Sequence, residues 1–428
     1  MAAFDADFTS TLTQYYFCFH NNNVVKTTME NLPEELIAKI FSYLKDPITV
    51  SQVCSYFKLV ATTQIRKMEL KISNETRDEI NAAAIALGEF LALKKLKVEI
   101  QFDTNNEAKA KFINRFSDQI THLCLRELTF LNPFFSQRDV IFSNLTSFSI
   151  ENSDLTSSDQ LPHFILGCCP KLKYLTLSGC SGLQIDSLED IGRNLSQTPI
   201  EHFHLLPTYS YFDSTQTSSP HEHWTIDKLK TLSIRSKLVV MKKNFVKNVI
   251  GRRNENLKTL ELIAELDLGE NLASKIIQNY PNLGKLSLGR GCSILRNQDF
   301  SLLCNFYKKL WSLEFHFTLT DDCLDLKALE KNEYVRDLTI GLTKNVTQEN
   351  IIRIARCLPN VSRLSIVLYY LSTSNQEFLT LVMQIFPHLQ QIEFQRIGMT
   401  ENMKFTAIPE DIDSPNLRHF DEIKHLPN

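Results

Sequence analysis

The 428-residue chain contains no run of eighteen apolar residues, so nothing in it reads as a helix that crosses a membrane. It also lacks a basic n-region followed by an apolar h-region, so its start does not read as a secretory signal. No Cys-x-x-Cys pair occurs. The ten cysteines, at 18, 54, 124, 168, 169, 180, 292, 304, 323 and 357, read as reduced core residues of a cytoplasmic or nuclear protein. A marked excess of either sign of charge is missing too. Forty-six basic residues against forty-nine acidic ones leave a net charge of −3, which gives no global field to draw in nucleic acid or an anionic membrane. Neither a P-loop, a GxSxG turn, a nucleotide fingerprint nor an HExxH helix is present, so the chain is expected to be no enzyme and to need no cofactor.

What is present is a period. From residue 65 onward the pattern apolar, two variable, apolar, one variable, apolar returns with first positions Ile65, Leu93, Ile120, Leu145, Leu172, Ile200, Leu229, Leu257, Leu283, Leu310, Val335, Val361, Leu389 and a weakened Leu417. The fourth and sixth positions alternate with variable ones, and period two means a strand with one buried face. Between the strands, helices are expected over 80–93, 187–195, 271–280, 299–307, 348–357 and 375–386. Strand and helix therefore alternate once per unit, and the fold class is α/β.

A period of 25 to 29 residues carrying LxxLxL resembles the leucine-rich repeat, whose strands stack in parallel on the concave side of a solenoid with helices on the convex side. The unit Cys169-Pro170-Lys171-Leu172-Lys173-Tyr174-Leu175-Thr176-Leu177-Ser178-Gly179-Cys180 is similar to the cysteine-containing subclass, although few other units keep Asn or Cys at the ninth position. Residues 65–428 should hold about 13 to 14 units, interrupted by a Ser-, Thr-, Pro- and His-rich stretch over 206–228 that reads as an irregular loop.

Ahead of the repeats, Pro33 stands where a helix can open, because its missing N–H is one of the donors a first turn leaves unpaired, and Glu34 and Glu35 complement the positive helix end. Leu36, Ile37, Ile40, Phe41 and Leu44 follow at helical spacing until Asp46-Pro47 breaks the helix; Ile48, Val50, Val53, Cys54, Phe57 and Val60 make a second apolar set. So small a unit must lean on a neighbour or a partner. Leu32, Pro33, Glu35, Ile40, Leu44, Val53, Cys54 and Phe57 resemble the F-box, with Phe57 where the family often has Trp. The F-box is assigned to 29–64. Residues 1–28 match neither pattern and read as a disordered tail, with Met29 as a candidate true start.

That resemblance implies a substrate receptor of an SCF-type ubiquitin ligase: the eight F-box residues contact or shape the surface for a Skp-family adaptor and, through it, a cullin. The repeats would hold a protein target, so the contribution is proximity rather than chemistry. Variable strand positions supply candidate target-binding residues on the concave face: Lys95, Lys97, His122, Arg126, Tyr174, His202, His204, Arg235, His316 and Arg363. At about 4.8 Å per strand the array suits a folded protein or a long peptide. Two other readings remain at this point: a scaffold of the same fold outside any ligase, and a GTPase-activating repeat protein using one exposed arginine among Arg126, Arg235 and Arg363. A zinc site from His202, His204, His221, Glu222 and His223 lacks a cysteine and is set aside.

Overall fold

The structure is a computed structural model and describes residues 66–90, 93–102, 105–128, 140–155, 160–182, 185–206, 226–241, 249–266, 272–289, 297–319, 329–342, 348–368, 382–396, 403–407 and 420–423. The expected tail, the F-box and the greater part of the 206–228 loop lie outside these residues. The chain divides into two units, one made of Met1–Met68 with Asn81–Lys95 and the other of Glu69–Ile80 with Leu96–Asn428. In the smaller, the N–H groups of Lys94 and Lys95 both donate to the Arg66 carbonyl at 3.0 Å.

The larger unit is built on strands that start two residues after the first position of each repeat, except the one that starts at Ile120 itself. They are β1 (Lys67–Ile72, shared with the smaller unit), β2 (Lys95–Gln101), β3 (Ile120–Arg126), β4 (Ser147–Glu151), β5 (Tyr174–Ser178) and β6 (His202–Leu205). After them come β7 (Thr231–Met241), β8 (Thr259–Leu266), β9 (Lys285–Leu288), β10 (Ser312–Leu319), β11 (Asp337–Leu342), β12 (Arg363–Leu368) and β13 (Gln391–Arg396). Each strand from β2 to β13 pairs in parallel with the next.

Register explains why the period is so strict. Phe148, Leu175, Phe203, Leu232, Leu260, Leu286, Leu313, Leu338, Leu364 and Ile392 stand opposite one another strand by strand, and all are buried. A one-residue slip would turn this whole row to the other face. Each buried leucine contributes about 1.5–3 kcal/mol, and no unit can bury its row alone, so the array stands on its stacking.

The described helices include α1 (Arg77–Gly88), α2 (Asn106–Arg115), α3 (Gln160–Cys168), α4 (Ile185–Asn194), α5 (Leu272–Asn279), α6 (Asn297–Phe306) and α7 (Gln348–Cys357). Two of them show their packing on the apolar face of the sheet: the Phe164 ring of α3 lies 5.3 Å from Phe148 of β4, and Phe300 of α6 lies 5.3 Å from Phe315 of β10. At the start of α1 the Thr76 hydroxyl accepts from the Glu79 N–H at 3.3 Å, and the Thr76 N–H donates to Glu79 Oε2 at 2.8 Å. That reciprocal pair is a capping box.

Between units, side chains replace backbone partners. The Asn254 amide donates to the carbonyls of Ile226 and Leu229, and the Asn332 amide repeats this towards Cys304 and Tyr307. Asn144, Asn256, Asn282 and Asn360, each just before a first position, donate to carbonyls of the preceding unit at 2.7 to 3.2 Å. The bonds of Asn254 and Asn332 satisfy buried carbonyls, and all six asparagines latch their unit to its predecessor.

Three differences from the expectation stand out. Helices α2 and α3 were not anticipated, because Asn106–Arg115 carries few large apolar residues and Gln160–Cys168 is punctuated by Pro162 and Gly167. The parallel order also stops at β13: β14 (Met403–Ala407) and β15 (Phe420–Ile423) add antiparallel strands at the end of the sheet. Finally, several variable strand positions are buried instead of open on the polar face, namely Ser233, Ser287 and Ser312, together with Glu261 and Thr339.

Candidate functional site

The polar face of the sheet carries the variable strand positions. Lys95, Lys97 and His122 are exposed, Tyr174 and Arg363 likewise, and Arg126, His202, His204 and Arg235 are half-buried. His316 falls on β10, and its side chain lies outside the described residues, as do all eight predicted adaptor-contacting residues from Leu32 to Phe57. His221, Glu222 and His223 lie outside them as well.

In the parallel register each side chain has a direct neighbour on the next strand about 4.8 Å away and diagonal neighbours two residues along, both within reach of a long charged side chain. On β1 to β4 this joins Lys71 to Glu99 at 3.1 Å, Glu99 to Arg126 at 2.7 Å, and Arg126 to Glu151 at 2.9 Å. On β7 to β10 it joins Arg235 to Glu261 at 2.8 Å, Glu261 to Lys285 at 2.9 Å, and Lys285 to Glu314 at 3.0 Å. The Ser233 hydroxyl donates to the same Glu261 carboxylate. Farther along, Arg363 grips Asp337 with two bonds of 2.7 Å.

Glu261 is the electrostatic centre of this face. Burial alone would raise its pKa, but hydrogen bonds from Arg235, Ser233 and Lys285 outweigh it and hold the carboxyl down to about 2. Lys285 is the mirror case: burial disfavours its charge, and the bonds to Glu261 and Glu314 raise its pKa all the same. On β5 and β6 the Tyr174 and His202 rings stack at 4.3 Å with an angle of 3° between them, and His202 Nδ1 lies 3.0 Å from the Thr231 hydroxyl. Burial lowers the pKa of both His202 and His204, so they are neutral at physiological pH.

The arrangement brings Arg235 into a shared network and holds Tyr174 against His202, whereas Arg126 and Arg363 belong to two other clusters. Each of the three arginines is bound to a carboxylate. Sequence reasoning passed over Glu261, Lys285 and Asp337. Glu261 and Lys285 pair diagonally, Glu261 standing opposite Ser233 and Ser287 and Lys285 opposite Thr259 and Ser312, so no single repeat position carries their signal.

No group of three or more His, Cys, Asp or Glu among the described residues could hold a metal ion. Cys124, Cys168, Cys169, Cys180, Cys304 and Cys357 are free thiols, and burial pushes Cys180 up to about 11, so it packs as a small apolar group. No described helix is long and apolar enough to cross a membrane.

The family model described as F-box-like matches residues 29–66. No curated protein matches the chain in sequence. Among solved structures, the chain is similar to one in the crystal structure of the Rad7 and Elc1 complex in yeast, at 13% identity over 93% of this chain and 97% of that one, with a TM-score of 0.36. It is also similar to the leucine-rich repeat-containing protein LegL7 from Legionella pneumophila, at 16% identity over 71% of this chain and 91% of that one, with a TM-score of 0.34. The F-box-like match thus stands in sequence ahead of the repeating strands, whose parallel order from β2 to β13 is the arrangement expected of a leucine-rich-repeat solenoid.

Proposed function

We propose that this protein is the substrate-recognition subunit of an SCF-type ubiquitin ligase, its F-box docking on a Skp-family adaptor and thereby on a cullin while its repeats hold a protein target. The observation that carries the reading is the F-box-like segment at 29–66 placed directly before the repeats. A second supports the target-holding half: the polar face of the sheet is cross-linked between strands by ion pairs and lined with charged and aromatic side chains, which suits a macromolecule more than a small ligand. The protein would do no chemistry; it would raise the concentration of a target beside an enzyme carried by other subunits. Free thiols fit a reducing compartment, the cytoplasm or the nucleus. The F-box of this reading spans 29–64, with the repeats from 65 on and the polar-face residues named above as the target surface.

The test is capture of the full chain by a purified Skp-family adaptor, compared with a Leu32→Ala, Pro33→Ala double variant whose fold is checked by circular dichroism. Retention of the wild type and loss of a folded variant by several kcal/mol is the expected result if these are anchor residues. Wild-type protein that fails to bind the adaptor overturns the reading. Binding without ubiquitination of any captured partner would leave a scaffold outside a ligase.

A further inference from the structure

One stretch of the sheet's entry edge departs from the charge balance of the rest. Lys173, Glu201, Lys230 and Lys258 each precede the first residue of β5, β6, β7 and β8, and their backbones are tied in order: the Glu201 N–H donates to the Lys173 carbonyl at 2.9 Å, Lys230 to Glu201 at 2.7 Å, and Lys258 to Lys230 at 2.8 Å. Their side chains therefore form a row of roughly 15 Å at the strand spacing. Within it the Glu201 carboxylate serves two ammoniums, Lys230 at 2.6 Å and Lys173 at 3.3 Å, and leaves one of those charges uncompensated. Lys258 is exposed and has no carboxylate partner among the described residues, and exposed Lys171 donates only to the Asn144 amide oxygen. Asp227 and Glu255 lie on nearby turns, and Arg253 already holds Glu255 at 2.8 Å. A chain with a net charge of −3 thus carries a local excess of positive charge.

Beside this row stands Tyr174, about half exposed and locked by its stack on His202, so its hydroxyl is presented at small entropic cost. The neutral state of His202 leaves the donor set as ammoniums plus a phenol. Such a set matches carboxylates spaced along an extended backbone. Nucleic acid fits less well, since it favours strongly basic chains with arginines and open ring faces for bases, while this chain has a pI near 6.4 and buries the stacked faces against each other.

We propose that the entry edge of β5 to β8, with Lys173, Lys230, Lys258 and Tyr174, is a docking surface for an acidic, extended segment of a protein partner. This deepens the target-holding half of the proposed function and rests on it. The direct test is fluorescence anisotropy of the full chain with a labelled peptide of alternating Glu and Ser, against the same peptide with Gln for Glu and a single-stranded oligonucleotide of equal charge. The Glu peptide should bind at least tenfold tighter than the Gln peptide at low salt and lose that margin as salt rises. A Lys173→Gln, Lys230→Gln, Lys258→Gln variant should abolish the preference, Tyr174→Phe should weaken binding a fewfold, and Lys308→Gln with Lys331→Gln should leave it intact. Equal binding of the two peptides, indifference to the triple variant, or tighter binding of the oligonucleotide overturns the proposal. Adaptor capture by the same preparations separates the two hypotheses: capture intact with no Glu preference removes the acidic-segment surface alone, and capture lost with the preference intact removes the receptor reading alone.

Discussion

Two ion-pair clusters on the same face of the same sheet obey different energetics. The Arg235–Glu261–Lys285–Glu314 chain on β7 to β10 is largely withdrawn from water, with the Glu261 side chain 8% exposed. The Arg363–Asp337 pair on β11 and β12 has better geometry, two bonds of 2.7 Å, but the Arg363 side chain is 60% exposed. Burial decides which one the fold depends on, because a charge that loses its partner in a low-dielectric site keeps its desolvation cost, while an exposed one is taken up by water. The central network is thus a structural girder, and the outlying pair is a surface feature that a partner can displace.

That contrast can be broken at its strong end first. Lys285→Ala leaves two carboxylates facing each other on β8 and β10 and should destabilise the chain by about 3–5 kcal/mol in urea unfolding; a cost below about 1 kcal/mol would show the network to be solvated. Acid offers the next largest effect. Because the folded pKa of Glu261 lies below its ordinary value of 4.5, its stabilisation is complete above that value and drains away as the pH falls towards about 2. On the order of 2 kcal/mol should go by pH 3. Urea midpoints at neutral pH and at pH 3 should show that component in the wild type and not in Glu261→Gln.

Smaller effects sharpen the comparison. Thr76→Ala removes the cap of α1 and should cost about 1 kcal/mol in the same unfolding assay. Arg363→Ala should cost under about 1 kcal/mol. A loss as large as that of Lys285→Ala would erase the distinction between girder and surface feature.

The sequence showed the strands well because burial of one face with a period of two, repeated every 25 to 29 residues, writes itself into residue type. It showed α5, α6 and α7 to within two residues for the same reason, each having apolar positions that recur at helical spacing. Where apolar content fell, as in Asn106–Arg115, the helix depends on tertiary support: Lys109 of α2 is fully buried and its ammonium donates to the carbonyls of Ser73 and Gln101. Nothing local announces that. The candidate site was legible as a list of variable positions but not as a network, because a pairing such as Glu261 with Arg235 and Lys285 appears only once units are set side by side. Nor is the burial of Ser233 and Ser312 legible, since a hydroxyl at a variable position looks the same whether or not its neighbours cover it.

The most direct test of the receptor account is the mass, by light scattering after gel filtration, of a mixture of the full chain, a Skp-family adaptor and a cullin. The account predicts a single species holding one copy of each, which collapses to adaptor plus cullin when the Leu32→Ala, Pro33→Ala variant replaces the wild type. Elution of the wild-type chain by itself, apart from an intact adaptor–cullin pair, would contradict it.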